Sequence, residues 1–511
     1  MDILAFSLYF IAMLGIGVYF FLRSKVVTEK DYFLGGRQMG PWVTAMSAQA
    51  SDMSAWLLMG LPGSILAFGF GQAWIGIGLA IGTALNWILV AKRLRKFSRA
   101  AGDSITLPQY LSNRFLSKSH AVSIICAVVF LVCFTIYVAS AFVAGAGVFT
   151  TLVPELDASA AMIIFAAIVV IYTFLGGFNA VCWTDFFQGL LMLGALLIVP
   201  IVVGFWRELE PAALTTIYTG PAGEEFKFTT NFFSASWKEI ISGLGWGLGY
   251  FGMPHIIVRF MAIEKPSMVK KSATVAIIWV VLSLGATILI GYLGRMFVYS
   301  NGTDLSEVLL AQGKQSLIFV ELARDVFPSF IAGLLLAAII AASMSTADSQ
   351  LLVAASSFAS DLYKPIIRKN ASNREMLWVS RVIVLIIAVV AYFIASSKGK
   401  AAQAIMDLVS NAWGIFGAAF GPAVLLSLFW KRFTYKGAVA GIITGALVDM
   451  LWLWLPVSNG ATLASITGVY EIIPGFIVGA IAAVVATLLD KKPSAEVEAI
   501  FERATDNSID D

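Results

Sequence analysis

The side chains in this sequence that could bind an ion or a small charged solute fall in three places. The first is Ser47-Ala-Gln49-Ala-Ser51-Asp52-Met-Ser54, which puts four polar groups and an acid into an otherwise apolar run. The second is Gly243-Leu-Gly245-Trp246-Gly247-Leu-Gly249-Tyr250-Phe-Gly252-Met-Pro254-His255, with five glycines and a proline. The third is Ala342-Ser343-Met344-Ser345-Thr346-Ala347-Asp348-Ser349. Here Ala342, Ser345, Thr346 and Ser349 are spaced i, i+3, i+4, i+7, so three hydroxyls share one helical stripe. Neutral hydroxyls and carbonyls suit a small hard cation that must bind and then leave. A helix broken by glycine and proline frees carbonyls for a cation and exposes N–H groups to an anionic group. The competing reading is structural, because serine and threonine also bond back to their own helix and glycines permit close helix packing. That reading suits the pairs Gly78 with Gly82, Gly441 with Gly445 and Gly475 with Gly479.

The elements that must position these groups lie in a membrane. Of 511 residues 59% are hydrophobic and 13% charged, about half the charge of an average soluble protein. Runs of ~17–25 apolar residues, enough to cross a bilayer, occur at 3–22, 41–62, 70–91, 121–150, 158–178, 184–206, 239–257, 273–297, 316–357, 377–396, 404–430, 436–455 and 470–489. The expectation is an all-α integral membrane protein of thirteen spans. The first run has no basic n-region and is expected to stay as a span rather than be cleaved. Alternate loops collect 26 of the 34 lysines and arginines on one side (23–37, 92–118, 259–271, 364–381, 431–436 and 491–503). This bias orients the chain with its N-terminus outside and its C-terminus in the cytoplasm. The acidic tail (Glu496, Glu498, Glu502, Asp506, Asp510, Asp511) reads as a solvated cytoplasmic end.

The two broken segments lie in the second and seventh spans. They stand five spans apart, an odd number, so five-helix units starting at those spans run in opposite directions. Paired broken spans in inverted halves point to the midplane site of a secondary transporter. The expected organisation is 1–40 a peripheral span and loop, 41–238 and 239–430 two inverted five-helix repeats, 431–490 peripheral spans and 491–511 a tail. Other classes fit less well. No repeated filter sequence suggests a channel, and no phosphate-binding glycine loop or cytoplasmic domain suggests an ATP-driven pump. Two histidines and three scattered cysteines, Cys126, Cys133 and Cys182, offer no enzyme or zinc constellation. The basic residues follow membrane side, so no nucleic-acid partner is expected.

At these motifs the sequence resembles the sodium/solute symporter family, particularly its proline-carrying bacterial members. The likeness runs through Tyr32-Phe-Leu-Gly-Gly-Arg37, Ser51-Asp-Met-Ser54, Trp56-Leu-Leu-Met-Gly-Leu-Pro-Gly63, Trp183-Thr-Asp185, the glycine-broken segment, Arg259-Phe-Met-Ala262 and Met344-Ser-Thr346. It implies a LeuT-like core of two inverted repeats and sodium-coupled symport of L-proline in the bacterial inner membrane. It also implies a sodium site from the carbonyls of Ala50, Met53 and Ala342 and the hydroxyls of Ser345 and Thr346, with Asp52 in support. Ser54, Tyr137, Trp246, Tyr250 and Pro254 match positions associated with substrate. Asp185, Asp348 and Ser349, with Ser345, resemble a second sodium site in some relatives. Ala55 and Met253 stand where the family pattern has glycine and glutamine, which leaves another amino acid, an osmolyte or a carboxylate as the alternative substrate.

Overall fold

The structure is a computed structural model, and it describes residues 1–23, 28–175, 177–299, 301–397, 403–458 and 460–506. Lys25, Asp510 and Asp511 therefore lie outside the described residues. Long helices dominate: α1 (Asp2–Arg23), α2 (Pro41–Met53), α3 (Gly60–Phe68), α4 (Ala73–Ala100), α5 (Ala121–Leu152), α6 (Ala158–Leu175), α7 (Phe178–Trp206), α8 (Trp237–Gly245), α9 (Pro254–Ala262) and α10 (Val269–Arg295). They continue as α11 (Ser329–Ser357), α12 (Asn373–Ser397), α13 (Gln403–Phe429), α14 (Tyr435–Trp454), α15 (Ile472–Leu489) and α16 (Ala495–Thr505). Among the described residues ten helices are long and apolar enough to cross a membrane. The other three expected spans fall on α6 and on the two interrupted segments, α2–α3 and α8–α9. In α11 and α13 the apolar stretch is 83% buried, against 28% in α1 and α15. The stripe of hydroxyls on α11 is thus at the centre of the bundle, where lipid cannot reach it.

Both interruptions have local causes. Helix α2 stops because Ser54 adopts a left-handed φ of +45°, a conformation costly for a residue with a side chain. Its hydroxyl then accepts the Trp56 N–H (3.1 Å), capping a tight turn over Ala55–Leu57 before α3 begins. Helix α8 opens on a capping box formed by Ser236 and Glu239. It tightens into a 3₁₀ turn over Trp246–Phe251, where three-residue spacing replaces the α ladder. Met253 is extended, and Pro254 opens α9 at the first helical position, where its missing N–H costs nothing. Glycine is required at Gly82, because a Cβ there would run into the backbone of Gly247 in the break. Gly441, Gly445, Gly475 and Gly479 likewise bring α13, α14 and α15 into near-backbone contact. These glycines therefore serve packing.

The two broken segments are stitched together at one end. Met39 N–H donates to the Ala262 carbonyl (3.2 Å) and Glu264 N–H donates to that of Met39 (3.1 Å). Arg37, buried, donates to the carbonyls of Met261 (2.5 Å) and Ser104 (2.7 Å) and pairs with Asp103 (2.9 Å). Burial first, then neighbouring Arg95, lowers the Arg37 guanidinium to about 10, so it keeps its charge at neutral pH. Two expectations need correction. The run 316–357 is not one helix: Ile318–Val326 is a separate short helix, the chain turns at Phe327-Pro328, and α11 then continues through a wide turn to Ile367. Proline at 328 cannot donate a helical bond, which forces the turn. The tail is not simply solvated. Helix α16 buries Ile500 and Ala504 in the main core and Val497 beside Phe115 and Phe433, with Phe501 edge-on to Phe97 of α4 at 5.3 Å.

Candidate functional site

A narrow cavity lies where the two breaks face each other. Asp52, Met53 and Trp56 line it from the first break, Trp246 and Tyr250 from the second, Tyr137 from α5, and Leu79, Val409 and Trp413 from α4 and α13. The space left between these walls is about 10 Å³, room for about one water molecule, so the walls are closed on one another and a solute would enter only after they part. On one side Trp246 is sandwiched between Trp56 (ring centroids 5.5 Å, 26°) and Tyr470 (5.2 Å, 27°). Trp413 braces the second break by donating its indole N–H to the Trp246 carbonyl (2.8 Å) and meeting Tyr250 edge-on at 5.1 Å. Gly249 leaves room for that indole, since a Cβ there would overlap it. The polar groups are Asp52, whose carboxylate accepts the Tyr250 hydroxyl (2.5 Å), and Tyr137, whose hydroxyl donates to the Asp52 carbonyl (3.3 Å).

One helical turn earlier, the first break meets α11. Ser345 Oγ lies 2.8 Å from the Ala50 carbonyl and 3.2 Å from that of Ala342. Beside it Thr346 Oγ1 is buried without a hydrogen-bond partner. A buried hydroxyl left unpaired costs about 1–3 kcal/mol, and a cation bound by these oxygens would satisfy it. Three oxygens expected of the sodium site, from Ala50, Ala342 and Ser345, are therefore neighbours, and the fourth belongs to Thr346, the next residue along α11. For Met53 the structure shows the side chain in the cavity wall, and no described contact of its carbonyl.

The residues expected of a second ion sit in a different environment. Arg259 of α9 pairs with Asp185 (2.9 Å) and donates to Ser349 Oγ (2.5 Å), to Ser47 Oγ (2.8 Å) and to the His255 carbonyl. Ser47 in turn donates to Asp185 (2.7 Å). All of these are buried, and the Arg259 guanidinium stands between Asp185 and Ser349, two of the residues expected of a second sodium site. Asp348, also buried, has no hydrogen-bond partner for either carboxylate oxygen.

The structure thus brings Asp52, Met53, Tyr137, Trp246 and Tyr250 to one cavity. It leaves Ser54 and Pro254 at the edges of the breaks, where they shape the chain without lining the space. Sequence reasoning missed Trp56 as a wall, Trp413 as a brace and Tyr470 as the outer ring of the stack. An indole inside an apolar run and a tyrosine at the start of the last span look like ordinary packing, and only the three-dimensional stack reveals them. The partners of Arg259 were quoted in motifs, but their convergence was not legible because they come from four separated helices.

Comparison with known proteins places the chain. The family model described as the sodium:solute symporter family matches residues 32–445. The chain belongs to the sodium:solute symporter family. Among its relatives, the sodium/proline symporter of Escherichia coli K12 is 42% identical over 510 residues, covering 98% of this chain and 96% of that protein. The high-affinity proline transporter PutP of Bacillus subtilis 168 is 41% identical, covering 95% and 97%. The osmoregulated proline transporter OpuE of the same organism is 40% identical, covering 98% and 97%. Among solved structures, an outward-open Na⁺-coupled sialic acid symporter superposes with TM-score 0.74 at 21% identity, covering 96% and 98%. A nucleobase-cation-symport-1 transporter in a closed conformation gives 0.53 at 13% identity, covering 92% and 97%. These two establish the fold alone, which is LeuT-like, as expected for this symporter family.

Proposed function

We propose that this chain carries L-proline into the cell together with sodium by alternating access. The observation that carries the reading is a continuous connection between an oxygen cluster and an aromatic cavity. The Ala50 carbonyl, facing Ser345, is two residues from Asp52, and Asp52 holds the Tyr250 hydroxyl in the cavity wall. Sodium held by Ala50, Met53, Ala342, Ser345 and Thr346 would fix the end of α2 against α11. Asp52 would then be set in place, and Tyr250 and Tyr137 with it. The cation thereby favours the substrate-competent arrangement over its alternative, which is the condition for coupling. Once the walls part, proline matches their chemistry: its ring packs on Trp246 and Tyr250, while its charged ends find polar partners in the Tyr137 hydroxyl, Asp52 and the backbone freed by the breaks. The full-length proline-transporting relatives, at 40–42% identity, support the same substrate.

The topology that goes with this reading has thirteen spans, with 41–238 and 239–430 as inverted repeats, in the bacterial inner membrane. The N-terminus is outside, and the basic loops and the tail are cytoplasmic. Asp185 and Ser349 are read as an ion-paired network built on Arg259 rather than as part of a second sodium site, with Asp348 buried outside that network. The driving force is adequate: one charge moved through ~100 mV releases about 2.3 kcal/mol, and a roughly tenfold sodium gradient adds ~1.4 kcal/mol. The test is uptake of labelled proline into proteoliposomes under an inward sodium gradient, with other amino acids, betaines and carboxylates as competitors. Sodium-stimulated uptake displaced best by proline supports the reading. Uptake indifferent to sodium ends it, and displacement by another solute reassigns the substrate.

A further inference from the structure

The tail helix α16 lies on the basic face of the bundle, across two groups of elements that are each fastened within themselves. The first group carries the breaks. At the end of α4, Arg95 donates to the carbonyls of Ile263 (2.6 Å) and Glu264 (2.8 Å), just past α9. Ser98 Oγ accepts a bond from Arg37 (3.1 Å), just before α2, and Trp87 meets Phe260 of α9 edge-on at 4.6 Å. The second group is the short helix Leu107–Arg114 with α13 and α14. There the Tyr110 hydroxyl lies 2.9 Å from Ser427 Oγ, and Phe115 is edge-on to Phe433 at 5.6 Å.

Helix α16 is tied to both groups. On the first, Arg503 donates to the Ala100 carbonyl (2.9 Å), Lys96 donates to the Asp506 carbonyl (2.9 Å), and Phe501 packs on Phe97. On the second, Arg114 donates to the Val497 carbonyl (3.1 Å), Val497 packs with Phe115 and Phe433, and Lys431 pairs with Glu498 (3.0 Å) and Glu502 (2.7 Å). The groups also touch directly, as where Arg93 of α4 donates to the Leu428 carbonyl of α13 (3.1 Å). The bridged helices α4 and α13 supply Leu79, Val409 and Trp413 to the transport cavity, so their spacing at the basic face bears on the cavity walls.

We infer that α16 is a latch: it clamps the group that carries the breaks to α13 and α14, holds the cytoplasmic side closed, and lets go of one group when that side opens. The bonds to Lys431 suit release. They are half-exposed side-chain pairs, each worth little, whereas the fixed joint at Arg259 and Asp185 is fully buried. The acidic tail thereby gains a role, since Glu498 and Glu502 are the partners that Lys431 grips. The inference rests on the alternating-access reading above, and its experiment separates the two.

Spin labels on Lys118→Cys and Lys265→Cys, both exposed, report the separation of the groups in the full-length protein in lipid nanodiscs. Lys118 adjoins Ser119, whose carbonyl accepts the Tyr435 hydroxyl of α14 (3.1 Å), and Lys265 follows α9. The three native cysteines are buried and escape labelling. Pulsed electron spin resonance, with and without sodium and proline, is expected to show a short separation and a minor longer one in the otherwise wild-type protein. Lys431→Glu sets like charges against Glu498 and Glu502 and should raise the longer population about fivefold. Adding Glu498→Lys and Glu502→Lys should return it to the starting value. If ligands shift the distribution but Lys431→Glu leaves it unchanged, the latch is overturned and alternating access stands. A rise that the exchanged charges do not reverse overturns the latch as well. A single separation that sodium and proline never change overturns alternating access and the latch with it.

Discussion

Two buried polar clusters lie within a few helical turns of each other in α2 and α11, and they solve the problem of burying polarity in opposite ways. The Asp185 cluster is ion-paired: Arg259 supplies the cation, and Ser47 and Ser349 complete its hydrogen bonds. The Ala50 cluster contains only neutral oxygens around Ser345 and leaves Thr346 unpaired. A permanent cation makes a fixed joint between helices, whereas neutral oxygens can accept an exchangeable one. On the proposed reading the first cluster serves architecture and the second coupling, and the contrast can be broken from either side.

Replacing Asp52 with alanine removes the link between the ion cluster and the Tyr250 wall. The expected result is loss of sodium stimulation of proline uptake by about 150-fold, the upper range of coupling energies, in protein that is still inserted. Undiminished coupling would remove Asp52 from the mechanism. Replacing Arg259 with methionine strands Asp185 in the interior, and should destabilise the protein by about 3–5 kcal/mol in a denaturation assay in detergent. Adding Asp185→Asn should recover most of that loss. Failure of the second change to rescue would show that the cluster is not a structural ion pair. Tyr250→Phe takes a hydrogen-bond donor from a buried carboxylate, a loss of about 1.5–3 kcal/mol, and should weaken proline affinity at saturating sodium by roughly 10- to 100-fold. Thr346→Ala should have the smallest effect, raising the half-saturating sodium concentration about tenfold while proline affinity at saturating sodium stays near wild type.

The sequence displayed the elements of this account unevenly. The breaks were legible because an acid among apolar residues and five glycines in twelve positions violate what a lipid-embedded helix tolerates. The hydroxyl stripe was legible because helical periodicity is simple. What stayed hidden depended on convergence. Nothing about Arg259 in a motif near a basic loop announces that its side chain reaches back to Asp185 and Ser349. The aromatic stack of Trp56, Trp246 and Tyr470 joins three distant segments, and each ring alone is compatible with packing. The turn at Phe327-Pro328 was masked by continuous apolar character on both sides, which hydropathy merges into one run.

The central claim is that sodium held by the Ala50, Ala342, Ser345 and Thr346 oxygens sets the affinity of the aromatic cavity for proline. It is tested most directly by equilibrium binding of labelled proline to purified protein across a sodium titration, for wild type and the Ser345→Ala/Thr346→Ala double variant. The account predicts that wild-type proline affinity rises with sodium. In the double variant the same rise should shift to at least about tenfold higher sodium and approach a similar limiting affinity. A superimposable sodium dependence in the two proteins would contradict it.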